Sequence, residues 1–188
     1  MRGSFTDMAR YGLLQRLLHW LIAALVFAAL LGGLVLWAYG FDGLKSAFGI
    51  EVTNLVYKYH KTAGVLILGL MTLRLAVRLV AGAPAAHPSL SPPLAAVSAA
   101  THWVLYALLF AMPVLGWLAT AAGGFPVEFF DMKMPGLIGK DPALSKVLYW
   151  SHGALGLAIA VVMALHVAAA LRHWLVLKDG VMRRISLP

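Results

Sequence analysis

Three long stretches of this chain carry no charge, and that constrains its fold more than any other feature. No Asp, Glu, Lys or Arg occurs between Arg16 and Asp42, between Arg78 and Glu128, or between Lys146 and Arg172. Each stretch exceeds the roughly 20 residues that a helix needs to cross a bilayer. A fourth segment, 57–80, is apolar between Lys61 and Arg74, and its terminal charges can snorkel toward the interfaces. Of the 188 residues, 62% are hydrophobic and only 12% are charged. Soluble domains carry about a quarter, so lipid is the solvent that suits this surface.

The absence of cysteine rules out disulfides, thiolate ligation of haem, iron–sulfur clusters and cysteine catalysis within the chain. The formal charge of +8 fits membrane topology better than nucleic-acid binding, because no basic block is interleaved with stacking aromatics.

These runs predict an all-α, integral membrane four-helix bundle forming one transmembrane domain over 1–188. Its helices are expected at about 13–39, 57–80, 101–122 and 148–177. The first is too long for a signal peptide, and Met8 is an alternative start. Pro- and Ala-rich residues 81–93 read as a loop. Residues 123–146 read as another, broken by Pro126, Pro135 and Pro142. With four helices, both termini share a side with Arg2, Arg10, Arg16, Arg74, Arg78, Arg172, Lys178, Arg183 and Arg184. The acids expected there are Asp7 and Asp179. All the arginines fall on this side, so the positive-inside rule makes both termini cytoplasmic.

Histidine within a bilayer is costly and marks candidate function. His152 and His166 are 14 residues apart, which puts them about 40° from each other and about 21 Å apart along one helix. One is expected near the outer leaflet and the other near the inner. By depth, His60 can meet His152 at the outer level, and His19 can meet His166 at the inner. Paired imidazoles from facing helices suit the two axial positions of a haem iron. Counting 14 residues from His19 reaches Gly33, and from His102 reaches Gly116. Missing side chains there leave room for a flat macrocycle, although small-residue helix packing explains single glycines equally well. Arg74 lies 14 residues beyond His60, and no acidic residue falls in a predicted helix. A haem propionate would supply its counter-charge; snorkelling is the simpler alternative. Zinc fits poorly, because it needs three or four converging ligands. Copper and non-haem iron remain open by residue type.

His102 is a surplus inner-level imidazole and could replace His19 or His166. His173, near the cytoplasmic interface, could bond a quinone carbonyl or sit among headgroups. His87 reads as a solvated loop residue. Lys58, Lys61 and Lys146 lie close in sequence to the outer histidines and could steer a small anion toward them. They could equally meet lipid phosphates or propionates.

Four segments, LLQRLLHW (13–20), YKYHKTAGVLILGLMTLRLAVRL (57–79), HWVLYALLFAMPVLGW (102–117) and SHGALGLAIAVVMALHVAAALRHW (151–174), resemble the bacterial cytochrome b561 family. The likeness covers all four predicted helices in order. It implies two haems b ligated by His19, His60, His152 and His166, and quinone-linked electron transfer in the bacterial inner membrane. For that family, oxidation of superoxide with reduction of ubiquinone has been proposed. The expected function is therefore a di-haem oxidoreductase taking single electrons from a donor on the periplasmic side, with superoxide a candidate. The expected partners are ubiquinone and membrane lipid, with no nucleic acid. The alternative is an anchor subunit carrying electrons to quinone from a hydrogenase or dehydrogenase partner. A proton-coupled transporter is disfavoured by the lack of intramembrane Asp or Glu.

Overall fold

The computed structural model describes residues 10–187; Arg2, Asp7 and Met8 lie outside them. Three helices are long and apolar enough to cross a membrane. They are α1 (Leu13–Ala81), α2 (Pro92–Ala122) and α3 (Pro142–Leu171), the last continued by a π-helical turn, Arg172–Leu177.

Unbroken, α1 would measure about 100 Å, far beyond the roughly 30 Å of a bilayer's hydrocarbon. It is not straight. Gly40 (φ 62°, ψ −178°) and Gly49 (φ 82°, ψ 166°) leave helical geometry for a region essentially reserved for glycine. Between them residues 41–48 form a short helical link, where the sequence suggested no element. Thr53, fully buried, bonds the Gly49 carbonyl through its hydroxyl (2.8 Å) and secures the second bend. The two arms then run antiparallel. A Cβ at Gly33 would lie 3.2 Å from His60 Cε1. At the other end, Gln15 Nε2 donates to the Gly82 carbonyl (2.8 Å), and Arg74 Nη1 donates to the Gln15 carbonyl (2.9 Å).

Helices α2 and α3 start earlier than the hydropathy suggested. In each, a proline opens the first turn, where its missing N–H costs nothing. Asp141 caps α3 by accepting from the amides of Ala143 and Leu144, both at 3.0 Å. α2 packs most extensively on α3 and less on α1. Leu18, Ile22, Val26, Ile67, Met71, Tyr106 and Ile159 form the central core. Outward faces are apolar, with Trp37, Leu79 and Val80 more than 70% exposed; lipid would cover such a surface.

The fold is not purely helical. The segment read as a loop contains an antiparallel hairpin, β1 (Val127–Phe129) and β2 (Met132–Met134), with Glu128 opposite Lys133. It docks on the second arm of α1. Phe130 N donates to Thr62 Oγ1 (3.0 Å), and Lys61 Nζ donates to the Pro126 carbonyl (3.1 Å). Trp117 Nε1 at the end of α2 donates to the Pro135 carbonyl (3.0 Å).

A strap closes the opposite end. After a 3₁₀ turn, Val181–Arg184, the Ser186 carbonyl accepts from Arg10 and Arg16, both at 2.9 Å. The Ile185 carbonyl accepts from Trp20 Nε1 (2.9 Å), and Tyr11 N donates to Arg184 O (3.1 Å). Both ends of the described chain therefore lie at the same end of the bundle.

Candidate functional site

Two pairs of imidazoles face one another inside the bundle. Near the hairpin end, the rings of His60 (α1, second arm) and His152 (α3) have centroids 6.1 Å apart and are inclined by 80°. Near the strap end, His19 (α1, first arm) and His166 (α3) are 6.3 Å apart and inclined by 73°. Along each helix, core residues fall between the two levels. Ile22 and Val26 follow His19; Ile67 and Met71 follow His60; Ile159 lies between His152 and His166.

The spacing is chemically specific. An imidazole nitrogen meets a metal at about 2.0–2.1 Å and lies about 1.1 Å from its ring centre, so two trans imidazoles have centroids about 6.2–6.4 Å apart. Both pairs match. His102 lies nearer to His166, at 5.2 Å, too close for the two to flank one metal on opposite sides. Its Nδ1 donates to the Ser98 carbonyl (2.6 Å), which holds the ring on α2 beside the pair near the strap end.

A hydrogen bond fixes one ring of the pair near the hairpin end. His152 Nδ1 donates to the Met112 carbonyl (3.1 Å). A carbonyl only accepts, so the proton sits on Nδ1 and the Nε2 lone pair is left for a ligand. Met112 precedes Pro113, which lacks an N–H and disturbs the local helix ladder. His60 Nδ1 is buried without a well-formed hydrogen bond, with the Ala29 carbonyl near enough to interact.

Space is set aside beside the rings near the hairpin end. A Cβ at Gly116 would come within 2.9 Å of His152 Cε1, so only glycine lets this ring sit where it does. A small apolar cavity of about 50 Å³ is lined by His60, His152, Val26, Leu30, Leu109 and Pro113.

Among the described residues, no three His, Cys, Asp or Glu side chains converge as metal ligands. A metal held by two histidines must bring its other donors with it. A porphyrin supplies four in one plane and needs an apolar slot with two axial imidazoles. The residues present fit that group.

The remaining candidates lie around the pairs. Arg74 bonds the Gln15 carbonyl four residues before His19. Arg78 stacks on Trp103 and Tyr106, 5.6 and 5.9 Å from their ring centres. Lys58 is paired with Asp131 (2.6 Å), and Lys61 with Glu128, both acids on the hairpin. Lys146 is exposed near the start of α3.

His173 makes a contact the sequence did not suggest: its Nδ1 lies 2.6 Å from Asp179 Oδ2. His87, read from sequence as solvated, is only 6% exposed and bonds Ser89. The Asp–His separation of six residues crosses a π-helical turn, whose irregular register hides it from helical periodicity.

The model of the prokaryotic cytochrome b561 family matches residues 10–186. Cytochrome b561 homolog 2 of Escherichia coli is 29% identical over 97% of this chain and 94% of its own. The probable superoxide oxidase CybB of Yersinia pestis is 28% identical over 94% and 95%. Cytochrome b562 of Cereibacter sphaeroides is 30% identical over 97% and 99%. The family match over nearly the whole chain, on a bundle with facing histidines, identifies this protein as a member of the prokaryotic cytochrome b561 family of membrane electron-transfer proteins.

Proposed function

We propose that this protein is a di-haem quinone oxidoreductase: one membrane domain crossing the bacterial inner membrane four times, twice through α1, with both termini cytoplasmic. The observation that carries the reading is the pair of imidazole couples, 6.1 and 6.3 Å apart, at two levels of the bundle. His60 and His152 would hold an outer haem b, and His19 and His166 an inner one. When bound, such a group would supply one-electron chemistry, because its iron changes valence by one.

The chain's own contribution is position and electrostatics. The Met112 carbonyl orients His152, and Gly33 and Gly116 leave the outer rings their room. Arg74 offers a positive charge at the inner level, suited to a haem propionate. His173, with His102 deeper in the bundle, marks the end where ubiquinone would accept electrons. On the opposite face, superoxide is the candidate donor. The name of the Yersinia pestis relative supports that choice, as does exposed Lys146 near the start of α3, while Lys58 and Lys61 are engaged by Asp131 and Glu128.

The test is a reduced-minus-oxidised spectrum with haem quantification. The expected result is two haems b per chain in the wild type. His60→Ala or His152→Ala should remove mainly the outer haem; His19→Ala or His166→Ala should remove mainly the inner. Full haem content in the His152→Ala, His166→Ala double variant would sink the assignment.

A further inference from the structure

At the strap end, a chain of polar contacts joins three segments far apart in sequence. Asp179, in the tail beyond α3, lies 2.6 Å from His173 Nδ1 through Oδ2. The same oxygen accepts from Ser89 Oγ (2.9 Å), on the linker between α1 and α2. Asp179 Oδ1 accepts from Val181 N (3.1 Å). On the far side of Ser89 is buried His87, its Nδ1 2.8 Å from the hydroxyl and 3.2 Å from Ser89 N. The His173 and Asp179 side chains are 16% and 14% exposed. None of these residues belongs to the facing histidine pairs.

A carboxylate only accepts, so its contact with His173 places a proton on Nδ1. Burial alone would push the Asp179 carboxyl up. The bonds from His173, Val181 and Ser89 outweigh it and hold the group below its ordinary range. With Nδ1 engaged by the carboxylate, Nε2 is the ring's other, exchangeable position.

We propose that Asp179, clamped by Ser89 and Val181, is the positioning residue that makes His173 the proton donor for quinone reduction. The inference rests on the quinone reading above. Quinone becomes quinol by gaining two electrons and two protons. The electrons come singly through the electron transfer that defines the family. One proton passes from His173 Nε2 to a quinone oxygen, the N–H bond breaking as the O–H bond forms, and the other quinone oxygen takes the second proton from cytoplasmic water. Cytoplasmic water then returns a proton to Nε2. Asp179 keeps its bond to Nδ1 throughout; its charge steadies the doubly protonated ring that precedes transfer.

The experiment uses the full haem-loaded chain in nanodiscs. Reduced protein is mixed in a stopped-flow instrument with a short-chain ubiquinone analogue, which needs protons, or with ferricyanide, which takes an electron and no proton. Asp179→Asn is expected to slow reoxidation by quinone roughly 10- to 100-fold, leaving haem content and reoxidation by ferricyanide unchanged. Ser89→Ala should give a smaller slowing of the same kind. In ¹⁵N-histidine spectra of the wild type, His173 should carry its proton on Nδ1, and Asp179→Asn should shift it toward a mixture of tautomers. Equal slowing with both oxidants, unchanged quinone kinetics in Asp179→Asn, or an unprotonated Nδ1 in the wild type would overturn the proposal. If wild-type protein reacts with ferricyanide but not with quinone, the quinone reading itself fails and this inference falls with it.

Discussion

Gly116 shows how much of the outer site depends on an atom that is missing. A Cβ there meets His152 Cε1 at 2.9 Å, whereas one at Gly33 meets His60 Cε1 at 3.2 Å, a contact that small shifts can relieve. Gly116→Ala is therefore expected to lower haem content toward one per chain, and Gly33→Ala to lower it less. Haem-to-protein ratios by pyridine haemochromogen would check both. Alanine favours a helix by about 1 kcal/mol over glycine, so a weakened helix would not account for the loss. Arg74→Leu should lower the inner haem's potential, because a nearby positive charge favours the reduced state. Redox titration of a variant with both haems would show it, and an unchanged potential would favour snorkelling. Asp179 gives a pH prediction. Its lowered pKa means its contribution to stability is complete above the ordinary carboxylate value of 3.8. That contribution is lost as pH falls through the folded value. Asp179→Asn should thus speed hydrogen exchange over residues 178–186 at neutral pH, and the difference from wild type should vanish in strong acid.

Among the elements, the hairpin changes the electrostatics of the outer face. Two lysines near the outer pair are matched by Glu128 and Asp131, so Lys146 is left as the exposed member of the proposed collar. If an anion donates there, Glu128→Gln and Asp131→Asn should each speed haem reduction by superoxide, by roughly two- to tenfold at low salt. The gain should shrink above about 0.15 M ionic strength. Lys58→Gln, Lys61→Gln and Lys146→Gln should slow it. Stopped-flow reduction at several salt concentrations separates these outcomes, and indifference to every substitution points to a protein donor. The acids were visible in sequence, but their partners were not, because 65 or more residues separate each hairpin acid from its lysine. Helix starts failed for a different reason. Pro92 and Pro142 look like breakers when hydropathy is read alone, yet both occupy the first turn, where proline is welcome. The histidine spacing was legible because 14 residues nearly complete four helical turns, a period that neighbouring packing does not disturb.

For the whole molecule, the bends at Gly40 and Gly49 turn one continuous helical assignment into two antiparallel arms. The strap bonds join residues 10–20 to residues 184–186, so the described termini share an end. Reporter fusions at either terminus should both read as cytoplasmic, and a tag inserted between Met134 and Asp141 should read as periplasmic. Opposite readings for the two termini would overturn the four-crossing topology. The pairing of the rings also sets an order of assembly. His152 and His166 both belong to α3, the last long helix to leave the ribosome, while their partners lie in α1, the first. A nascent chain inserted only through α2 presents His19 and His60 without either counterpart. If the two pairs hold haems as proposed, haem capture at both levels would be confined to the end of biogenesis, and chains released early should persist as colourless intermediates exposed to membrane proteolysis.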